Sequence, residues 1–320
     1  MKGYLATFLK GAISLGLLAF FLSRIDLAHF IEALSNAKFS YVAICLVVYF
    51  VGQCLSSIRW ALLARTVGFD NPLADFTLYY FIGMFFSLFT PSTVGGDVGR
   101  VFYLAREGAN RKENGGATAF ATISVLADRA IGMAVLVWIG VVALLLFPEY
   151  RLPPTILYVT YAIGAGLLLG VLSLPFLSRV MPGKNHRIAK NLHIALQRYP
   201  RHWNAIVNAM LISVVVHIIQ AWMHILIGRA LNFDIPWSYA LIIYPLVGTF
   251  SALPISLNGI GLREGGYIFL LNRIGVSSAH AIAFGLLWFA VIVIDSLIGG
   301  LVFILRKKPA GPAIAAEIED

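Results

Sequence analysis

The sequence has little charge and almost no cysteine. Asp, Glu, Lys and Arg make up 12% of its 320 residues, about half the roughly 25% usual in soluble domains. This scarcity excludes a soluble enzyme and a disordered chain. The two cysteines, Cys45 and Cys54, lie in one apolar run. They exclude a disulfide-stapled secreted scaffold and a four-ligand metal site.

Apolar residues are abundant instead: 59% of the chain is hydrophobic, and the mean hydropathy is +0.84. These values predict an all-α membrane protein with several spans. The net charge is +9. In a membrane protein this charge indicates basic cytoplasmic loops and contact with anionic lipid, so we expect no nucleic acid as partner.

Six apolar runs are long enough to cross a bilayer, which takes about 20 helical residues. The first follows Lys2 and Lys10, and no small-residue cleavage site comes after it, so we predict an uncleaved span rather than a signal peptide. The other five cover residues 39–58, 117–147, 154–176, 203–230 and 279–305.

Two further apolar runs are interrupted by glycine, proline and charge. Residues 76–90 end in the motif PSTVGGDVGR (91–100), and residues 238–253 end in PISLNGIGLREGG (254–266). Broken backbone is tolerated at membrane depth only where protein or water surrounds it. We predict two re-entrant hairpins; two short full spans, about eight in all, are the alternative.

The distribution of basic residues predicts the orientation. With the N-terminus inside and both hairpins returning to their own side, the inside loops hold most of the Lys and Arg, as cytoplasmic loops do. The loop 178–202 alone has six and no acidic residue. We expect a bacterial-type inner membrane protein with both termini in the cytoplasm and a tail at 306–320.

An internal repeat appears when the sequence is shifted by about 164 residues. Residues 39–58 fall on 203–222, Gly95 falls on Gly259, and the two broken segments overlay. Three crossings and one hairpin in each half would invert the second half, which is typical of transporters. A chance match between two apolar halves is the alternative.

The predicted organisation is one integral membrane domain, residues 1–305. Its two inverted repeats are residues 1–147 and residues 154–305, joined by a short outside loop.

Five motifs resemble a known family: IDLAHF (25–30), SIRWALL (57–63), FTPSTVGGDVGR (89–100), LADR (126–129) and ISLNGIGLREGG (255–266). They are similar to the transmembrane region of lysylphosphatidylglycerol synthases, the flippase-like domain of the multiple peptide resistance factor family. The last motif, with its G-x-G-x-R-E core, is the most specific.

The resemblance implies an inner-membrane protein associated with lipid translocation or lipid modification. Bifunctional members of that family append a soluble aminoacyl-transferase domain. This sequence stops at Asp320 after a short polar tail, so we expect no lysyl transfer.

The second broken segment contains Arg263 and Glu264, between Gly259 and Gly261 on one side and an apolar run on the other. A guanidinium forks onto phosphate oxygens, so Arg263 is a candidate phosphate ligand. Glu264 would hold it in place or carry a proton. The alternative is a structural ion pair. Because adjacent helical residues do not face each other, we expect their partners elsewhere.

The first broken segment contains the counterparts, Asp97 and Arg100. Gly95, Gly96 and Gly99 would admit positive φ and let the backbone approach a ligand. If a half-helix begins near Asp97, its free N–H groups form an anion site. The alternative is that Asp97 is an N-cap.

Four charged residues interrupt or end long spans. Asp128 and Arg129 interrupt span 117–147, and an overshooting cytoplasmic helix end is their alternative explanation. Asp295 lies deep in the last span, so it should face a cavity or a cationic partner. These three are candidates for proton coupling or for structural pairing. Arg59, after span 39–58, is either a snorkelling anchor or a headgroup contact.

Two histidines, His217 and His224, lie seven residues apart in span 203–230. This spacing is too long for one metal ion on one helical turn. We expect hydrogen bonds to neighbouring helices.

Together these features predict a flippase-like translocator that moves an anionic phospholipid or a polyprenyl-phosphate lipid between leaflets. The hairpins would meet near the midplane, where Arg100 and Arg263 hold the phosphate. The alternatives are a membrane-embedded glycosyl or headgroup transferase, and a non-catalytic partner of a lipid-modifying enzyme that docks on the loop 178–202. We expect no metal and no cofactor, and no nucleotide-binding loop is present.

Overall fold

The computed structural model describes residues 27–89, 94–107, 116–180, 199, 201–252 and 259–305, which contain helices and no strand. The all-α fold class is thus confirmed. The helices are α1 (Leu27–Ser35), α2 (Phe39–Thr66), α3 (Leu73–Phe89), α4 (Val94–Glu107), α5 (Ala117–Leu146), α6 (Pro154–Val180), α7 (Trp203–Ala230), α8 (Trp237–Ser251), α9 (Leu262–Leu271) and α10 (Ser278–Leu305).

Five helices in the described part, α2, α5, α6, α7 and α10, are long and apolar enough to cross a membrane. They match five of the six predicted spans. The first predicted span, the tail and most of the loop 178–202 lie outside the described residues. Helix α2 continues past residue 58 to Thr66, so Arg59 lies within the helix and not after it.

Each broken segment is a pair of packed helices. In the first pair, the rings of Tyr79 in α3 and Tyr103 in α4 stack with centroids 5.5 Å apart. In the second, the Tyr239 hydroxyl of α8 donates to the Leu270 carbonyl of α9 at 2.7 Å. The motif VGGDVGR forms the start of α4, so its charges lie on a helix. Whether the pairs are re-entrant stays a prediction.

The helices pack in a pattern that the two halves share. If α2, α3, α4 and α5 correspond to α7, α8, α9 and α10, each packed pair has a counterpart. Helix α3 packs on α10, and its counterpart α8 packs on α5. Helix α2 packs on α10, and its counterpart α7 packs on α5. Helices that follow one another within each half also pack in the same way in both halves. This exchange is what a duplicated fold requires, and it supports the predicted repeat.

The two corresponding central helices, α2 and α7, run antiparallel against each other. Near one end the Lys38 N–H donates to the Ala230 carbonyl at 2.8 Å. Near the other, Arg59 Nη1 donates to Ser213 Oγ at 3.0 Å. Residue numbers therefore rise along α2 as they fall along α7. Antiparallel packing of corresponding helices is what an inverted second half requires.

Helix α10 approaches α3 through a glycine. A methyl group on Gly299 would overlap the carbonyl oxygen of Phe81, which is backbone and cannot move aside, whereas Gly166 on the exposed face of α6 has nothing within 4 Å. Close backbone approach at small residues is how membrane helices pack without a hydrophobic driving force.

We predict that Gly299→Ala lowers the free energy of unfolding by about 1–3 kcal/mol, because the added methyl overpacks the contact between α10 and α3. Gly166→Ala is the matched control and should be neutral or slightly stabilising, since alanine favours helix. Thermal unfolding in detergent, followed by tryptophan fluorescence, measures both. Equal melting temperatures for the two variants would contradict the close approach.

Candidate functional site

A buried ionic cluster joins α2, α4 and α5. The Asp128 carboxylate accepts hydrogen bonds from Arg59 Nε at 2.7 Å and from Arg100 Nη2 at 2.8 Å, one on each oxygen. The exposed fractions are 1% for Asp128 and 6% for each arginine. Arg59 also donates to Ser213 of α7. The cluster therefore links the first half to the central helix of the second.

The Arg100 guanidinium lies between two aromatic rings. Its central carbon is 4.2 Å from the Trp60 ring centroid and 4.5 Å from that of Tyr80. Trp60 is fixed in turn, because its indole N–H donates to Ser124 Oγ at 3.1 Å. The electron-rich ring faces stabilise the cation where water is scarce. Arg100 is thus held by its charge partner and by stacking.

Asp97 and Arg129 extend the cluster towards the surface. The Arg129 Nε pairs closely with Asp97 Oδ2, and Asp97 Oδ1 lies 3.7 Å from Arg100 Nη1. The exposed fraction rises from 7% for the Arg100 side chain to 18% for Asp97 and 41% for Arg129. A continuous line of charge therefore runs from the buried Asp128 to the outside.

Arginine outnumbers aspartate in the cluster. It contains three arginines and two aspartates: Arg59, Arg100, Arg129, Asp97 and Asp128. Arg129, whose side chain is 41% exposed, brings the third guanidinium to the outer end of the cluster. An anion that comes from outside would meet this guanidinium first.

Sequence reasoning found all five members of this cluster, and for three of them one of the two alternatives that it left open is wrong. Arg59 was expected to be a snorkelling anchor or a headgroup contact, and the anchor is wrong because the residue is buried against Asp128. The alternative that Asp128 lies on a helix end projecting beyond the membrane is wrong, because Asp128 is the most buried of the five residues. Asp97 lies inside the first turn of α4 with its carboxylate on Arg129, so it is not the helix cap.

The glycines of the first segment act differently from the prediction. None of Gly95, Gly96 and Gly99 has a positive φ. All three are helical, and a methyl on Gly96 would overlap the Gly83 carbonyl of α3. Gly96 therefore lets α4 approach α3, not a ligand. In the second segment, Gly259 and Gly261 do have left-handed φ values of 76° and 84°, which glycine adopts without strain.

Arg263 and Glu264 form a closed pair at the start of α9. Glu264 Oε1 accepts from Arg263 Nε at 3.0 Å and from Nη2 at 2.6 Å, and Oε2 accepts from the Gly261 N–H at 2.7 Å. Glu264 thus satisfies a free N–H at the helix start. The expectation that these neighbours find partners elsewhere is wrong, because the long arginine side chain folds back onto the adjacent carboxylate. A phosphate role for Arg263 stays a prediction.

A polar stripe on α7 extends from the cluster into the second half. Ser213, His217, Gln220 and His224 recur at helical spacing on one face and span roughly 16 Å. The imidazole of His224 pairs with the Tyr267 hydroxyl of α9 at 3.0 Å. The histidines therefore bridge helices, as the sequence suggested, and the stripe connects the regions of the two broken segments.

The hydrogen-bond partners define the tautomer of His217. Its Nε2 lies 2.9 Å from the Gly132 carbonyl, which only accepts, so Nε2 donates. In the neutral ring Nδ1 then accepts from the Tyr244 hydroxyl at 2.8 Å. Sequence reasoning missed Ser213 and Tyr244. Ser213 could have been predicted, because it lies four residues before His217 and therefore on the same face of the helix.

Asp295 differs from its counterpart Asp128. Its exposed fraction is 3%, and its Oδ2 has no hydrogen-bond partner. No ion pair to Asp295 occurs among the described residues, so the expected cationic partner is not found in that part of the chain. The predicted meeting of the two hairpins involves residues 90–93 and 253–258, which lie outside the described residues, and it stays a prediction.

We predict that Asp128→Asn lowers the free energy of unfolding by about 3–5 kcal/mol, because it leaves two buried guanidiniums without their counter-charge. Asp234→Asn is the control: its side chain is 87% exposed and pairs loosely with Arg229 at 3.5 Å, so it should change stability by less than about 0.5 kcal/mol. Reversible unfolding in mixed micelles with increasing denaturing detergent measures both. Similar losses in the two variants would refute the central role of Asp128.

Comparison with known proteins confirms the resemblance. A family model described as the lysylphosphatidylglycerol synthase TM region matches residues 7–300, including both broken segments. The chain is also similar to a UPF0104 membrane protein of Methanothermobacter thermautotrophicus, with 25% identity over 279 residues that cover 79% of this chain and 81% of that protein. This chain is therefore a multi-pass membrane protein that belongs to the lysylphosphatidylglycerol synthase TM region family.

Proposed function

We propose that the protein moves an anionic lipid, or a lipid-linked amphiphile with a phosphate, between the leaflets of the membrane. The supporting observation is the row of three guanidiniums, Arg129, Arg100 and Arg59, that leads from the partly exposed end of the cluster to the buried Asp128. Guanidiniums inside a membrane protein are costly unless anions accompany them. A headgroup phosphate is such an anion.

Asp97 is the member that a phosphate would replace. Its Oδ1 is buried without a hydrogen-bond partner, although Arg100 Nη1 lies 3.7 Å away. Its Oδ2 lies on Arg129. A phosphate that arrives from the surface meets Arg129 first, displaces the carboxylate and then reaches Arg100. Arginine suits this exchange because its planar fork binds two oxygens of one phosphate.

Exposed apolar side chains lie beside this charged opening. Val98 follows Asp97 in α4 and is 61% exposed; Leu126 lies one turn before Arg129 in α5 and is 58% exposed. A phosphate bound between Asp97 and Arg129 would have apolar surface next to it. This combination fits an amphiphile, whose acyl or prenyl chains stay in the bilayer while its headgroup enters the protein.

The second half supplies the rest of the proposed path. The polar stripe on α7 begins at Ser213, which binds Arg59, and ends at His224, which pairs with Tyr267 of α9. Arg263 and Glu264 lie on the same helix α9. In this proposal the headgroup passes along the stripe, and Arg263 is a later contact. Family membership supports a lipid substrate, and the basic loops support cytoplasmic termini in an inner membrane.

We predict that purified protein in liposomes accelerates the exchange of fluorescent phosphatidylglycerol, measured with a membrane-impermeant reductant that quenches only the outer leaflet. Arg129→Gln should slow this exchange by about tenfold, since the entry guanidinium is lost. Arg129→Lys should retain part of the rate, because it keeps a point charge without the fork. Arg273→Gln is the matched control, as this exposed arginine contacts Arg151 and Phe269, away from the cluster.

The transport proposal has a clear contrary outcome. If phosphatidylglycerol and a polyprenyl phosphate both move no faster than in empty liposomes, the proposal is wrong. If Arg129→Gln transports like Arg273→Gln, the protein moves lipid but the cluster is not its headgroup site.

A further inference from the structure

We propose that Asp295 is a proton-binding carboxyl, and that its protonation is coupled to the packing of α10 on α3 and thereby to the anion cluster. This inference rests on the proposed transport function and assigns it a driving ion. In this proposal the corresponding acids of the two halves have different roles: Asp128 binds the arginines of the cluster, and Asp295 exchanges a proton.

The first observation is the contrast between two acids in corresponding positions. Asp128 and Asp295 each lie four residues before a buried glycine, Gly132 and Gly299. Beside Gly132 the space is occupied by the Arg59 guanidinium, whose Nη1 would lie 3.0 Å from a methyl there. Beside Gly299 it is occupied by the backbone of α3. Among the residues that the structure describes, the second acid therefore has no counterpart of Arg59.

The repeat explains this difference. The offset of 167 residues between the two acids places Arg59 of α2 on Leu226 of α7, and the offset of about 164 residues places it on Met223; both residues are buried and apolar. At either offset, the second half keeps the acid and has an apolar residue in place of the arginine. An acid kept without its cation in an apolar core is costly unless it is neutral. Asp295 is buried and its Oδ2 has no hydrogen-bond partner, which suits a protonated carboxyl.

No described neighbour supplies Asp295 with positive charge. Helix α10 packs against α1, α2, α3, α7 and α9. On α2, Tyr49 and Cys54 lie close enough to Asp295 to interact with it electrostatically, and both are uncharged at neutral pH. The other helices reach α10 mainly through apolar or already paired groups.

The charged and titratable groups of those other helices are engaged elsewhere. Arg263 of α9 pairs with Glu264 and lies over the Phe289 ring, about two turns before Asp295. His224 of α7 lies on the Trp288 ring and pairs with Tyr267. Helix α3 contacts α10 through the Phe81 backbone and through phenylalanine rings. In the described part of the chain, neither a residue of α3 nor Glu32 of α1 forms an ion pair with Asp295.

The second observation is a packed route from Asp295 to the anion cluster. Gly299 lies one turn beyond Asp295 on the same buried face and touches the Phe81 carbonyl of α3. Tyr80, next to Phe81, lies over the Arg100 guanidinium. Gly83, half a turn further, would meet the Arg100 Cγ at 2.8 Å if it had a methyl. A shift of α10 along α3 therefore moves the surface on which Arg100 rests.

These contacts define how a proton would act. With Asp295 protonated, α10 stays packed as observed, because a neutral carboxyl tolerates burial. Loss of the proton to water on one side leaves a carboxylate, which favours a conformation that hydrates it and so displaces α10 from α3. Uptake from the other side restores the packing. One proton is bound and released in each cycle, and no covalent bond changes.

The test compares Asp295→Asn with Asp234→Asn. The first is isosteric with the protonated acid; the second removes an exposed carboxylate. Infrared spectra of the purified protein in lipid, recorded in D2O from about pH 5 to about pH 9, should show the carbonyl stretch of a buried protonated carboxyl. This band should persist in Asp234→Asn and vanish in Asp295→Asn. Its presence after Asp295→Asn would overturn the assignment.

The transport arm tests the coupling. In liposomes with an imposed pH difference, wild type and Asp234→Asn should change their rate of phosphatidylglycerol exchange by about fivefold or more. Asp295→Asn should transport at a rate that the pH difference does not alter. A full response in Asp295→Asn would refute the coupling. If wild type transports nothing while the infrared band is assigned to Asp295, the proton site holds and the transport function fails.

Discussion

Charge buried in an apolar environment needs a partner, and this constraint organises the protein. Two guanidiniums share the Asp128 carboxylate, so helices from widely separated parts of the chain have to meet at one point. Neither arginine would be stable in that position without the acid. The same requirement extends outward to Asp97 and Arg129, where the cluster becomes accessible. The fold around this point is the arrangement that lets apolar helices hold five charges.

The predicted duplication would account for much of the remaining architecture. Corresponding helices pack in exchanged pairs, and α2 and α7 face each other antiparallel. In one half, Asp128 pairs with two arginines. In the other, Arg263 and Glu264 pair with each other at a helix start, and Asp295 forms no ion pair within the described residues. A symmetric scaffold thus presents unlike chemistry at two related places. This difference is the basis of our proposal that one half binds the anion and the other exchanges a proton.

Hydropathy located most helices because a long apolar run has few alternatives to a membrane helix. The same method predicted that the span ends before Arg59, because a charged residue lowers the hydropathy. The method takes no account of Asp128, which lies 69 residues later and pairs with that arginine. The glycines of the first broken segment were predicted to adopt positive φ or to let the backbone approach a ligand, yet Gly96 is a contact between two helices, which depends on tertiary packing. Sequence reasoning named the charged residues of the site. Only the fold shows which of these residues pair with each other, and that Ser213 and Trp60 contact them.

The most direct measurement is a structure of the protein in lipid nanodiscs that contain phosphatidylglycerol. The account predicts density for a lipid phosphate between Arg100 and Arg129, with the Asp97 carboxylate displaced from Arg129 and the acyl chains next to Val98 and Leu126. Lipid density confined to the outer surface, with the contact between Asp97 and Arg129 unchanged, would contradict it.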